Sequence, residues 1–145
     1  MSEHVSLSFL FNNAGDVVVE FPDEKLCISL PATFVGTNLY RLDAVPYPSE
    51  IAGYADIVEA VPAEAGRLRF VRVVQRSGWS THSFILAREA IEGEAVQAVL
   101  RAVLESGGYW EAIFGGCLFI CLPPGSTFDP ERALGLREYT VSDRI

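Results

Sequence analysis

The hydrophobic period of this chain switches near residue 89 from strand-like to helical, and that switch limits how it can fold. Before it, apolar residues come in short β-rich runs such as Asp16–Phe21 (DVVVEF), stopped every few residues by glycine, proline or asparagine. From Glu89 to Ser106 the apolar residues Ala95, Val96, Val99, Leu100, Val103 and Leu104 recur at helical spacing and share one helix face. Glu89, Glu92 and Glu94 sit near the start of that helix, where its dipole favours anions, and Gly107-Gly108 offers a stop. Strand-like runs then return, so the order of elements fits an α+β protein.

Within the first part, Val5–Phe11 and Asp16–Phe21 flank Asn12-Asn13-Ala14-Gly15 and read as a hairpin. Leu26, Ile28 and Leu30 share a strand face that Pro31 is expected to end, and Leu39–Val45 forms a further strand closed by Pro46 and Pro48. Asp56–Val61 and Arg67–Gln75 flank the five-residue loop Pro62–Gly66, whose symmetric closure sets Val61 opposite Arg67 and Glu59 opposite Arg69. Leu68 and Phe70 have one parity, Val71 and Val73 the other, so the inward face switches there through a β-bulge. Such a bulge puts Arg67, Arg69, Arg72 and Arg76 on one side with Val74 among them, whereas a regular strand covered on both faces scatters them.

Beyond residue 81, His82–Ala87 reads as a strand, followed by the helix. Tyr109–Phe114 and Cys117–Leu122 read as strands joined by Gly115-Gly116, and Asp129-Pro130 as the N-cap and first residue of a short helix to about Arg137. Tyr139–Ile145 is a tail. The expected architecture is one domain over residues 1–145. A curved or barrel-like antiparallel sheet to residue 81 merges into a ferredoxin-like β-α-β-β-α half over 82–145.

A chain of 145 residues, half of them hydrophobic, hides roughly 70% of its unfolded surface and needs no disulfide or metal to fold. Its apolar runs fall short of the roughly 20 residues of a membrane helix, and the first residues lack the basic region of a secretory signal, so a cytoplasmic protein is expected. The formal net charge of −8 disfavours nucleic acid or an anionic membrane as a partner. That charge is segregated: −8 over residues 1–66, +5 over 67–88, and −5 over 89–145. Either the arginines of the middle segment are compensated by acids within the fold, or they form a basic face for an anionic ligand or an acidic partner.

Motifs for catalysis and cofactors are missing. Cys117 and Cys121 lie four apart on one strand, roughly 13 Å between α-carbons, which is too far for a disulfide; both should be buried and reduced. His4, His82 and Cys27 add no metal-ligand spacing, so no metal or other cofactor is expected. The glycine pairs are turn formers in the wrong context for phosphate loops. Ser77 or Ser80 with His82 and Asp56 lacks the elbow motif of a nucleophile. Glu20, Asp43 and Asp56 read as strand-end or exposed acids, and the adjacent Asp23 and Glu24 as solvated. The most unusual group is Arg76-Ser77-Gly78-Trp79-Ser80-Thr81-His82, a guanidinium, hydroxyls, an indole and an imidazole around a permissive glycine. With Arg69 and Arg72 these residues, Arg76, Ser77, Trp79, Ser80, Thr81 and His82, are the candidate binding set; ordinary turn chemistry is the competing reading.

Three ordered blocks, Tyr40–Tyr47 (YRLDAVPY), Gly53–Ala60 (GYADIVEA) and Arg67–Val74 (RLRFVRVV) leading into Arg76–Thr81, resemble the bacterial domain-of-unknown-function 4265 family. The resemblance runs from about Leu26 to Pro123-Pro124. It implies a small bacterial cytosolic protein and brings no activity, substrate or catalytic residue with it. The family pattern prefers histidine where this chain has Trp79, and an indole cannot exchange a proton in acid/base work. The expected function is therefore a non-enzymatic interaction module, of which an immunity-type protein that binds a toxin is one form. The alternatives are a small enzyme or anionic small-molecule binder using the loop from Arg76 to His82, and a homo-oligomer built on an exposed strand edge.

Overall fold

The computed structural model describes residues 16–113 and 116–135. The expected strand at 5–11 and its turn, Phe114 and Gly115 of the later hairpin, and the tail lie outside the described residues. The chain divides into two compact units, one ending at Gly78 and one beginning at Trp79.

The first unit is a closed barrel of β1 (Asp16–Phe21), β2 (Leu26–Gly36), β3 (Leu39–Leu42), β4 (Ile57–Pro62) and β5 (Leu68–Gln75). Each strand pairs antiparallel with the next. A meander of this kind brings its first and fifth strands into the same direction, so closure is parallel, through Val19↔Leu68 and Glu20↔Arg69. Alternation aims Val19, Phe21, Ile28, Leu30, Leu42 and Val58 into the core, all at most 3% exposed. Burying side chains of this size stabilises by roughly 1.5–3 kcal/mol each.

Three strand boundaries differ from the sequence reading, each for a local reason. Pro31 does not end β2, because the strand changes partners there: residues through Pro31 pair with β1, and those from Ala32 pair with β3. At the crossing the missing N–H is not needed, while the Pro31 carbonyl accepts from Asp43 N at 3.0 Å. β3 stops at Leu42 rather than Val45, with the bond from Asp43 N to Pro31 O the last between this stretch and β2. Pro62 remains in β4, and the connection runs through a 3₁₀ turn at Glu64–Gly66 closed by Ala63 N to Arg67 O, 2.8 Å. The register is consequently Val61↔Arg69 and Glu59↔Arg72, not the symmetric closure expected.

The expected bulge is present, with a second one beside it. Ala60↔Phe70 and Glu59↔Arg72 leave Val71 as the extra residue, and Val58↔Val73 and Ile57↔Gln75 leave Val74. Leu68, Phe70 and Val73 pack on the core, and Phe70 stacks on Phe21 with ring centroids 5.0 Å apart. Val71 was expected to face inward; as the bulged residue it lies outside.

The second unit contains β6 (Ser80–Ile85), α1 (Arg88–Glu92), α2 (Glu94–Glu105), β7 (Tyr109–Ile113), β8 (Cys117–Leu122) and α3 (Pro130–Leu134). Its sheet has the order β6-β8-β7, with β8 antiparallel to both neighbours. Phe84, Ala112, Leu118, Ile120 and Leu122 from one sheet face form a core with Ile91, Leu100 and Val103 from the helices. Ser80 and Thr81 belong to β6, which begins two residues earlier than expected because they pair with Leu122 and Cys121. Ile113 lies opposite Cys117.

The single helix expected over 89–106 is two helices. Gly93 is extended (φ −75°, ψ 162°), donating to Ala90 O at 3.2 Å and accepting from Gln97 N at 3.0 Å. The Gln97 side-chain amide holds the joint by donating to Ile91 O at 2.8 Å. Glycine weakens a helix interior by about 1 kcal/mol, which lets these bonds win. Ala95 and Leu104, placed on the buried face, are exposed. The Asp129 cap forms as expected, its carboxylate accepting from Arg132 N at 3.2 Å. Gly135 in the left-handed region (φ 69°) closes α3 before Arg137 is reached.

Candidate functional site

Two of the candidate residues, Arg69 and Arg72, lie on β5, with Arg67 just before the strand and Arg76 and Ser77 just after it. Arg67, Arg69, Arg72 and Arg76 all have about half or more of their side-chain surface in solvent, and each meets a carboxylate. Arg67 and Arg69 share Glu20 at 3.4 and 3.5 Å, whereas Arg72 has Glu59 to itself at 2.9 Å. The strand pairing explains the partners, since Glu20 is the closure residue on β1 and Glu59 lies opposite Arg72. Val71 and Val74 stand in the same stretch at 47% and 40% exposure. The arginines are thus both compensated and displayed; pairs this exposed contribute about 0–1 kcal/mol each.

Asp56 is the strand-end acid expected, immediately before β4, but it is buried rather than exposed. It is 3% exposed. One carboxylate oxygen accepts from Ser77 N at 2.7 Å, and the other from Gly53 N at 2.8 Å and Arg76 Nη1 at 3.3 Å. The same guanidinium nitrogen donates to Ile51 O at 2.8 Å, and Ser77 Oγ donates to Tyr54 O at 2.7 Å. These bonds fasten the chain leaving β5 to the loop between β3 and β4. Glu24 does similar work on that loop, accepting from Ser49 Oγ at 2.7 Å and Glu50 N at 2.8 Å, so it is not simply solvated. Asp43 is half-buried between Thr33 Oγ1 and Arg41 Nε, and its hydrogen bond is the main cause of a raised Arg41 pKa.

Of the remaining candidates, Trp79 and His82 are half-buried, while Ser80 and Thr81 are exposed. Ser80 Oγ lies 3.2 Å from His82 Nε2, and Thr81 Oγ1 lies 3.6 Å from Cys121 Sγ. Arg76 and Ser77 therefore come together on Asp56, and Ser80 comes together with His82.

A second polar group was not foreseen. Alternation on β6, β8 and β7 puts Thr81, Ser83, Cys117, Phe119, Cys121, Tyr109 and Glu111 on the sheet face opposite the helices. Glu111 is 1% exposed and accepts a hydrogen bond from Tyr109 OH. Burial pushes the Cys121 thiol up to about 12 and also raises that of Cys117, with the Glu111 charge adding to both. Thiols held protonated are poor nucleophiles and poor metal ligands. Cys121 is fully buried as expected, but Cys117 is only half-buried and Cys27 is exposed. The sequence did carry a signal for Glu111, a lone charge inside the apolar stretch Tyr109–Leu122.

Among the described residues no group of histidine, cysteine or carboxylate side chains could hold a metal, and no helix is long and apolar enough to cross a membrane. Fold and site together define an α+β protein that joins a closed five-stranded barrel to a three-stranded sheet with helices. Its fold is similar to the crystal structure of a hypothetical protein from Neisseria gonorrhoeae, with a TM-score of 0.58 over 86% of this chain and 85% of that one, at 18% identity. No family model matches the chain, and no curated protein does.

Proposed function

We propose that the protein is a non-enzymatic interaction module whose contact surface is the outer face of β5. The observation that carries this reading is the expulsion of Val71 and Val74 by two bulges onto a face lined with Arg69, Arg72 and Arg76. Arginine is enriched at protein contact surfaces, and the two exposed valines add apolar area between the guanidinium groups. Neutralisation of a toxin, as by an immunity protein, is the specific form this function would take in a bacterial cytosol. Membership of the domain-of-unknown-function 4265 family belongs to the same reading, and so does a ferredoxin-like second unit. The order β6-β8-β7, with β8 antiparallel between two strands joined through α1 and α2, supports the latter.

The alternative, an enzyme or anionic small-molecule binder using Arg76 to His82, has less support because Arg76 and Ser77 are already engaged by Asp56. An Arg69→Glu/Arg72→Glu variant, shown by circular dichroism to be folded, separates the readings. The native protein should capture from lysate a protein that, once purified, binds the variant at least tenfold more weakly. Equal affinity for both forms, together with thermal stabilisation by an anionic metabolite, would overturn the proposal in favour of the small-molecule reading.

A further inference from the structure

We infer that the overhanging edge of β5, from Phe70 to Gln75, accepts an extended acidic segment of a partner protein as an added strand, an inference that rests on the reading of β5 as the contact face. β1 reaches β5 only at Leu68 and Arg69, because β1 ends at Phe21 and the chain turns away through Pro22–Glu24. Among the described residues, Phe70–Gln75 pair with β4 alone. Among the described residues, one side of this strand thus has backbone donors and acceptors that no neighbouring strand takes up. With its two bulges the segment lies opposite only four residues of β4, Ile57 to Ala60, and so spans about 13 Å, enough for a short partner segment to be held by main-chain bonds.

Charge selects the occupant. Arg67 and Arg69 share one carboxylate at 3.4 and 3.5 Å, which leaves one positive charge in surplus beside the start of the open edge. A partner aspartate or glutamate would complete that group, and its apolar residues would cover Val71 and Val74. A second copy of this chain fits poorly, because two β5 edges laid together would oppose their arginine rows. The bulges and arginines are also the devices that keep a bare edge from pairing with itself, so they leave room for a complementary strand while discouraging self-association.

Panning the full-length protein against a displayed library of random seven-residue peptides tests this. The enriched set should alternate acidic with β-branched or aromatic residues and exclude proline. A peptide from it should slow amide exchange at Phe70–Gln75 at least tenfold, and methylation of its alternate backbone nitrogens should abolish binding. A peptide that binds without slowing exchange there would overturn strand addition while leaving the contact face intact, as would enrichment of basic or proline-rich sequences. Absence of any enriched peptide, or a concentration-dependent dimer in sedimentation that slows the same amides without peptide, would also overturn it. Failure of the wider reading is recognised separately, by a lysate partner whose affinity ignores Arg69→Glu/Arg72→Glu.

Discussion

Asp56→Ala should cost about 3–5 kcal/mol, because it leaves two half-buried backbone donors without their acceptor rather than because it breaks an ion pair. The carboxylate is 3% exposed and accepts from two backbone N–H groups, Ser77 at 2.7 Å and Gly53 at 2.8 Å. Each donor left unsatisfied costs roughly 1–3 kcal/mol. Arg76 is the third donor, but its side chain is 67% exposed and it recovers water when the carboxylate goes, so its share is about 1 kcal/mol or less. Arg76→Ala should then be mild, and Asp56→Asn intermediate, since an amide keeps one acceptor but points a second donor at an N–H. Urea unfolding followed by far-ultraviolet circular dichroism and by amide exchange over 57–75 reads the barrel. Both tryptophans, Trp79 and Trp110, belong to the other unit, so their fluorescence provides a separate probe. At roughly 2 kcal/mol per molar urea, the Asp56→Ala midpoint should fall by about 1.5–2.5 M. Equal losses for Asp56→Ala and Arg76→Ala, or a loss below about 1 kcal/mol for the first, would refute the assignment of the energy to the backbone donors.

Two other perturbations probe the second unit. The Cys121 thiol is lifted from 9.0 to about 12, so on raising the pH the unfolded chain loses this proton first. Its contribution is therefore complete below pH 9 and is lost between pH 9 and about 12, on the order of 4 kcal/mol at most. Alkaline titrations of stability should flatten in Cys121→Ala; in the native protein at pH 8 a disulfide reagent should label exposed Cys27 quickly and Cys121 only as the chain opens, and rapid labelling of Cys121 would contradict its burial. Gly108→Ala would place a Cβ 2.8 Å from Val103 Cγ1, 2.9 Å from the Cys121 carbonyl oxygen and 3.0 Å from that of Val103. Two of those atoms are backbone and cannot swing away, so a loss of about 1–3 kcal/mol is expected in urea unfolding, and a neutral result would mean that the α2–β7 turn yields more readily than its packing implies.

Much of the barrel was legible because alternation is a local signal. Val19, Ile28, Leu30 and Val58 announce their inward face by parity, and the bulge near Phe70 announces itself by a break in parity. What could not be read depends on partners distant in sequence. Pro31 looks like a stop to any local rule, and only the exchange of β1 for β3 as its neighbour removes the penalty. The Gly93 break lay in plain view inside an otherwise regular helical spacing, but the spacing on either side was strong enough to read straight through it. Asp56 is a sharper case. Its bond to Gly53 closes a four-residue turn that local reasoning can find, while its bond to Ser77 spans 21 positions and turns a surface acid into a buried fastener.

The charge arithmetic shows how far composition alone carries a functional inference. An acidic first part beside a +5 segment is compatible with a naked basic face or with complete internal compensation. Strand register decides between them residue by residue, and the answer is neither. Glu59 and Asp56 each take one arginine, yet the closure of the barrel through only two residue pairs delivers Arg67 and Arg69 to the single carboxylate of Glu20. The surplus is one charge at one end of β5. That is too little to attract a polyanion to a chain of net charge −8, but enough to favour an acidic over a basic side chain where a partner strand would begin.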